Sequence, residues 1–170
     1  MGAEAVVAGN ELRLRLIKPN VGNGKLAGKV IVVDAGHGGY DSGAKSPDGA
    51  VREKDLSLSI AKMLSTKLAN EGATVINTRV TDVYIGLHER PEIANRNFAD
   101  FFISVHINSN RLNNSASGGI TFYHKGNVTS QILADTIQHE IGKMGFLPSM
   151  GAWSDGRIYD SGFAVLRLSN

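Results

Sequence analysis

The stretch Val30-Ile-Val-Val-Asp-Ala-Gly-His-Gly-Gly39 decides the fold of this chain. Its first four residues form an unbroken β-branched run, which is typical of a strand buried on both faces of a parallel sheet. The run ends at Asp34 and Ala35 and enters a glycine-rich loop that continues to about Arg52. The stretch therefore predicts a central strand whose carboxyl end opens into a functional loop.

The segments that follow alternate between helical and extended patterns. A helix is predicted from Glu53 to Asn70, with Gly72 as its stop and one apolar stripe made of Leu56, Ile60, Leu64 and Leu68. Two more helices are predicted, one at 87–98 with Pro91 in its first turn and one at 130–144 that ends before Gly145. Four more strands are predicted at 73–77, 101–105, 119–124 and 164–168. Strands that alternate with helices predict an α/β domain with a largely parallel sheet.

The 170 residues suffice for one domain with a real core. Residues 1–26 are predicted to be a lead-in or linker, and 27–170 the main domain. The alternating segment Glu11–Ile17 predicts a half-buried strand, which is either the tail of an upstream module or an edge strand of the main domain. Turn residues and the single Trp153 predict a surface loop between about Leu147 and Ser161.

Composition excludes several functions. A net charge of +2 does not provide the basic stripe of a nucleic-acid binder. Because the chain has no cysteine, a bound metal must be held by His, Asp or Glu. No apolar run approaches the roughly 20 residues of a membrane span. The first eight residues lack the basic and apolar regions of a signal peptide.

Three residues are candidate metal ligands because of their predicted positions. His37 follows the first strand of the main domain, His106 follows the strand at 101–105, and Glu53 opens the first long helix. Strand ends and helix starts line one edge of an open parallel sheet, where ligands bind. Two His and one Glu with an open fourth position are a known ligand set for catalytic zinc, and Asp34 or a carbonyl could orient the His37 ring.

Each candidate also has a plainer interpretation. A histidine at a strand end is often structural, a glutamate in a first helical turn often serves the helix dipole, and the glycine-rich loop could cradle a phosphate although it lacks the ending of a P-loop. The remaining histidines, His88, His124 and His139, are predicted to be solvated or structural.

At these residues the sequence resembles the zinc N-acetylmuramoyl-L-alanine amidases of the type-3 amidase family. The resemblance covers about residue 28 to the end. It rests on an ordered set of motifs: Val32–Gly39, Asp41, Gly43-Ala44, Glu53 with Leu56, Thr78-Arg79 with Asp82, Leu87 with Arg90, Ala94-Asn95, Ala99-Asp100, Ile103–Asn108 and Gly118-Gly119.

The resemblance implies one zinc ion held by His37, Glu53 and His106, with Asn108 close to the metal and the substrate. The plainer interpretation of Asn108 is an asparagine that caps its loop. It implies a single α/β domain whose twisted, mostly parallel (mixed) sheet has helices on both faces. It also implies hydrolysis of the amide between N-acetylmuramic acid and L-alanine in peptidoglycan. From this we expect an extracytoplasmic protein, a monomer, and an upstream wall-binding or regulatory module.

One expected residue has no counterpart. Similar family members continue past a Val-Leu-Arg segment into a strand that carries a general-base glutamate, whereas this sequence stops at Asn170. We therefore expect a complete metal site without that base, and a domain that lacks its last strand and helix. The alternatives are a zinc- and peptidoglycan-binding domain with little turnover, a zinc peptidase with the same ligands, and a phosphate-binding α/β domain.

Overall fold

The computed structural model describes residues 2–8, 11–17, 24–109 and 117–169, with the backbone alone described before residue 24. Its elements, in chain order, are strands β1 (Gly2–Ala8), β2 (Glu11–Ile17) and β3 (Val30–Ala35), helix α1 (Glu53–Asn70), strand β4 (Thr74–Asn77), helix α2 (Glu89–Arg96), strands β5 (Phe101–Val105) and β6 (Gly119–Tyr123), helix α3 (Val128–Met144), strand β7 (Ser149–Ser154) and helix α4 (Ala164–Arg167). The predicted α/β class is confirmed.

Strand β3 is the centre of the main sheet. It pairs in parallel with β4 on one side and with β5 on the other, in the order β4-β3-β5. Because neighbours cover both edges and helices cover both faces, the β3 side chains from Ile31 to Ala35 are buried. Burial on both faces explains why this strand has an uninterrupted apolar run, the pattern from which a central strand was predicted.

Alternate residues of β3 supply two separate cores. Ile31, Val33 and Ala35 pack with Ala61 of α1 on one face of the sheet. Val32 packs with α2 on the opposite face, against Ile93 and Ala94. Successive side chains of a strand point to opposite faces, so one short strand holds a helix on each side. The prediction of helices on both faces is confirmed.

Helix α1 has the predicted bounds but not the predicted buried face. Its most buried residues are mainly small or polar, namely Glu53, Lys54, Ser57, Ala61 and Ser65. Leu64 and Leu68 of the predicted stripe pack against the core. Leu56 and Ile60 remain 40% and 39% exposed. The small side chains let the helix approach the sheet closely, and Ser57 Oγ donates a hydrogen bond to the Gly36 carbonyl at 2.8 Å.

Strands β6 and β7 form a second parallel pair, and α3 packs against both of them. Two predictions for this part of the chain are wrong. The surface loop predicted at 147–161 contains strand β7, because its backbone pairs with β6 in spite of its serines and glycine. The strand predicted at 164–168 is the short helix α4. A four-residue apolar run is compatible with either structure, so periodicity alone does not distinguish them.

The strand predicted at 11–17 is confirmed as β2. It pairs antiparallel with β1, from Gly2 opposite Ile17 to Ala8 opposite Glu11, in a sheet of these two strands. The alternative of an edge strand on the main sheet is therefore wrong. The half-buried character predicted for this strand concerns its side chains, which are outside the described part of the structure. None of the described helices is both long enough and apolar enough to cross a membrane.

Candidate metal centre

The carboxyl ends of β3 and β5 lie side by side and place two histidines at one edge of the sheet. Ala35 pairs with Val105, and the Gly36 amide donates to the Val105 carbonyl at 3.0 Å. His106 follows β5 directly and His37 follows Gly36. The convergence predicted from the sequence thus results from the parallel register of two neighbouring strands.

Glu53 reaches the same edge because the glycine-rich loop ends in the first turn of α1. The Glu53 amide donates to the Ala44 carbonyl at 2.8 Å, and the Lys54 amide donates to the Ser42 carbonyl at 3.1 Å. Helix α1 has no side-chain N-cap, so loop carbonyls satisfy these first-turn donors instead. The loop and the helix start therefore hold each other in place.

The carboxylate of Glu53 lies between the two imidazole rings. Its Oε1 is 3.1 Å from Nε2 of His37 and 3.0 Å from Nδ1 of His106. One ligand atom from each of the three residues lies within 4.8 Å of the others. Ligands of one tetrahedral zinc ion lie roughly 3.3 Å apart, which is close to the two distances to Glu53; the two histidine nitrogens would have to move closer together to share an ion. All three candidate ligands predicted from the sequence lie together in the structure.

Hydrogen bonds fix the charge of Glu53. Its side chain is 7% exposed, and burial alone would raise its pKa. Donors at His106 and His37, together with the amides of Ala44 and Ile107, outweigh that effect and hold the pKa well below the usual range. The hydrogen bond to Glu53 in turn raises the pKa of His37. Glu53 is therefore ionised at neutral pH.

Asp41 orients the ring of His37. Its Oδ2 lies 2.9 Å from Nδ1 of His37, so the other ring nitrogen, Nε2, faces Glu53. The prediction of Asp34 or a carbonyl in this role is wrong. Asp34 is fully buried and accepts hydrogen bonds from Thr78, Ser104 and Arg90. The sequence feature that could have identified Asp41 as the partner of His37 is its position four residues later in the same loop.

Two buried arginines hold the backbone that carries His37. This residue has a φ of 60°, a left-handed conformation that is uncommon for a residue with a side chain. Arg90 Nη2 donates to the His37 carbonyl at 2.9 Å, and Arg79 Nη2 donates to the Gly36 carbonyl at 2.8 Å. Both guanidinium groups also donate to the carbonyl of Ala35. Three consecutive carbonyls are thus fixed, a role that was not predicted for either arginine.

Two glycines leave the room that the three side chains occupy. A Cβ at Gly36 would lie 2.4 Å from the His106 ring. A Cβ at Gly43 would lie 2.6 Å from both Glu53 Oε2 and the His37 ring. Any larger residue at these positions would displace a candidate ligand. The glycines of the loop are therefore part of the centre.

The other predicted site residue, Asn108, is exposed and lines a cavity of about 170 Å³ beside Glu53. His88 and His139 are exposed, as predicted. His124 is structural in the sense predicted, since its Nδ1 lies 3.0 Å from Oδ2 of the fully buried Asp155.

Fold and site together define an α/β domain with a candidate His–Glu–His metal centre at the carboxyl edge of a parallel sheet. The family model described as N-acetylmuramoyl-L-alanine amidase (Amidase_3) matches residues 31–170. The chain therefore belongs to the N-acetylmuramoyl-L-alanine amidase family.

Individual curated proteins are similar to this chain, and one of the two described here is named a probable amidase. The chain is 37% identical over 150 residues to the probable cell wall amidase LytH of Staphylococcus aureus, covering 86% of this chain and 48% of LytH. It is 38% identical over 118 residues to the uncharacterized protein YqiI of Bacillus subtilis, covering 68% of this chain and 55% of YqiI. It thus spans about half the length of these curated relatives.

Solved structures share the fold. An N-acetylmuramoyl-L-alanine amidase from Clostridium difficile superimposes with a TM-score of 0.77 at 35% identity, covering 84% of this chain and 74% of that one. The amidase AmiC2 of Nostoc punctiforme gives 0.74 at 33% identity, covering 88% and 76%.

Proposed function

We propose that this domain hydrolyses the amide bond between N-acetylmuramic acid and L-alanine in peptidoglycan, with one zinc ion held by His37, Glu53 and His106. The observation that carries the proposal is the convergence of two imidazole nitrogens on one carboxylate oxygen at 3.1 and 3.0 Å. Membership of the amidase family supplies the substrate class.

The donor set supports zinc as the ion. Two imidazoles and one carboxylate, with a fourth position open, are the ligands of several catalytic zinc sites. Gly36 and Gly43 keep the space around these ligands free of side chains. Bound there, zinc would polarise the amide carbonyl and lower the pKa of water toward about 7.

The residues of the chain prepare this centre in three ways. Glu53 stays ionised because four donors surround its carboxylate. Asp41 holds the ring of His37 so that Nε2 faces Glu53. Arg79 and Arg90 fix the carbonyls of the loop, so the site needs little rearrangement when it binds an ion.

The setting of the reaction follows from its substrate. Because peptidoglycan lies outside the cytoplasmic membrane, we place the domain in the wall or periplasm of its host, as a secreted autolysin. We further propose a monomeric domain, spanning 27–170, that works beside a wall-binding or regulatory module joined through 1–26.

A second candidate is a zinc- and peptidoglycan-binding domain with little turnover. It is favoured by the engagement of both carboxylates at the centre: Glu53 contacts the two histidines, and Asp41 contacts His37. Both carboxylates thus already accept hydrogen bonds, and a proton acceptor positioned for water, which accelerates such a step typically 10²–10⁴-fold, would have to come from elsewhere.

The test combines metal analysis with an assay for amino termini released from purified peptidoglycan. The first candidate predicts about one zinc per chain and zinc-dependent release, both lost in His37→Ala and His106→Ala. His139→Ala changes an exposed histidine of α3 and serves as the control. Stoichiometric zinc and peptidoglycan binding without release would favour the second candidate. Absence of stoichiometric metal from the folded protein would refute both.

A further inference from the structure

Two tyrosines stack on each other at the protein surface. The ring centroids of Tyr40 and Tyr84 lie 4.3 Å apart, with 26° between the ring planes. Tyr40 is 83% exposed and Tyr84 is 40% exposed, so one face of the Tyr40 ring contacts Tyr84 and the rest of the ring faces solvent. Single exposed apolar residues are common on proteins, whereas a stacked pair of rings presents a broad and rigid surface. We call this pair the tyrosine platform.

The backbone holds the tyrosine platform next to the candidate metal centre. Tyr40 lies in a tight turn of residues 38–41, which is closed by two backbone hydrogen bonds of 2.9 and 3.1 Å. The next residue, Asp41, places its carboxylate 2.9 Å from the ring of His37. A Cβ added to the glycine before Tyr40 would lie 2.8 Å from the Tyr84 amide nitrogen, so the second tyrosine packs on the same turn. The platform is therefore one residue away from a group that contacts a candidate ligand.

The charges at this turn favour a ligand without negative charge. The carboxylates of Asp41 and Asp82 both contact the turn and are partly open to solvent. Lys54 donates to the Gly39 carbonyl at 2.7 Å and to Asp82 at 2.6 Å, but its side chain is buried. An anionic surface would thus meet two carboxylates that repel it. A neutral ligand with hydroxyl groups can instead donate hydrogen bonds to them.

A pyranose ring has both properties that this surface can bind. Its faces carry C–H groups, whose partial positive charge is attracted to the negative face of an aromatic ring. Its edges carry hydroxyl groups, which donate to carboxylates. In the proposed substrate, the scissile amide joins the peptide to the lactyl group of N-acetylmuramic acid. The neighbouring sugar of the glycan strand therefore lies one ring away from the reacting bond.

We propose that Tyr40 and Tyr84 bind the N-acetylglucosamine ring next to the N-acetylmuramic acid whose amide is cleaved. The inference rests on the proposed function, because that function brings a glycan strand to this edge of the sheet. The tyrosine platform then selects substrates that have more than one sugar.

The experiment compares a muramyl dipeptide, which has one sugar, with the same compound extended by N-acetylglucosamine. Turnover is measured by amine release and binding by calorimetry, both on the zinc-loaded protein. We expect the disaccharide compound to be preferred about three- to tenfold through affinity and KM, with kcat unchanged, as for one aromatic stacking contact. Tyr40→Ala should abolish this preference. Tyr40→Phe should retain it, because stacking needs the ring and not its hydroxyl group.

Tyr159→Ala is the matched control, since Tyr159 is another exposed tyrosine but contacts Phe163. It should retain the preference, and circular dichroism monitors the fold of each variant. Equal turnover of the two compounds, or a preference that persists in Tyr40→Ala, would overturn this inference and leave the proposed activity intact. A Tyr40-dependent binding preference without turnover would support the inference and count against the proposed activity. Binding of neither compound would overturn the inference.

The same variants test two other occupants of the tyrosine platform. Sedimentation with phosphatidylglycerol vesicles measures binding to a lipid surface, and sedimentation velocity of the protein alone measures self-association. We expect neither to differ between the wild-type protein and Tyr40→Ala. Loss of vesicle binding or of a dimer in Tyr40→Ala would assign the platform to that occupant and overturn the assignment to a sugar.

Discussion

The carbonyl oxygen of His37 accepts a hydrogen bond from Nη2 of Arg90 at 2.9 Å. The same guanidinium group pairs with buried Asp34 at 2.8 Å and donates to the Ala35 carbonyl at 2.9 Å. One planar cation therefore links the end of β3 to the left-handed backbone of a candidate ligand. Lysine carries the same charge but cannot span these acceptors, because its donors radiate from one nitrogen.

We predict that Arg90→Lys lowers the zinc affinity of the folded protein about tenfold, within the range found for residues that orient metal ligands. Titration against a zinc-chelating dye measures the affinity, and circular dichroism monitors the fold. Arg96→Lys, at an exposed position of α2, should bind zinc normally. An unchanged affinity in folded Arg90→Lys would show that the hydrogen bond to His37 has no influence on the site.

Asp41 provides the second prediction, because its carboxylate lies 2.9 Å from Nδ1 of His37. Asp41→Ala removes the group that orients the ring, and we expect zinc affinity to fall about 10–100-fold. Asp48→Ala is the matched control, since Asp48 lies in the same loop and bonds to Ser46 instead. Equal zinc affinity in the two variants would contradict the role given to Asp41.

Gly43 and Gly49 allow a backbone effect to be separated from a steric one. Their φ angles are 61° and 72°, so alanine is strained at both positions by about 1–2 kcal/mol. A Cβ at Gly43 would lie 2.6 Å from Glu53 Oε2, whereas a Cβ at Gly49 meets nothing within 4 Å. We predict that both alanine variants lose stability in urea unfolding but that Gly43→Ala alone loses zinc binding. Zinc binding by Gly43→Ala equal to that of Gly49→Ala would refute the steric argument.

The three candidate ligands could be selected from the sequence because strand ends and helix starts follow from local patterns. Once β3 and β5 are parallel neighbours, the residues just after them lie at the same edge of the sheet. The proximity of His37 and His106 therefore follows from the strand assignment alone. The groups around them could not be selected in this way. Arg79 reaches the loop from just beyond the carboxyl end of β4 and Arg90 from α2, and which carbonyls their guanidinium groups contact depends on tertiary packing.

The errors in the fold have a related cause. The stripe predicted for α1 followed its large apolar residues, but Ser57, Ala61 and Ser65 make the close contact with the sheet. Leu56 is exposed because it lines the cavity beside Glu53. The sequence of β7 has a weak preference for strand, but backbone pairing with β6 outweighs it. Whether such a segment becomes a strand depends on a neighbouring strand, which local sequence does not reveal.

Asp155 gives a prediction about pH. Its carboxylate is fully buried, which alone would raise its pKa. Hydrogen bonds from the His124 ring and the amides of Lys125 and Phe163 outweigh burial and lower the pKa. The ionised group thus stabilises the fold above the pKa of an unfolded aspartate, about 3.9, and this stabilisation is lost as the pH falls through the lower folded pKa.

We therefore expect Asp155→Asn to cost about 1–3 kcal/mol of unfolding free energy near about pH 6, because one of the three donors then faces an amide N–H₂ group. The cost should shrink near about pH 3, where the wild-type carboxylate begins to bind a proton. Urea unfolding at both pH values measures the difference, and exposed Asp135→Asn is the control, with changes within about 0.5 kcal/mol. A cost that is the same at both pH values would mean that the charge of Asp155 does not stabilise the fold.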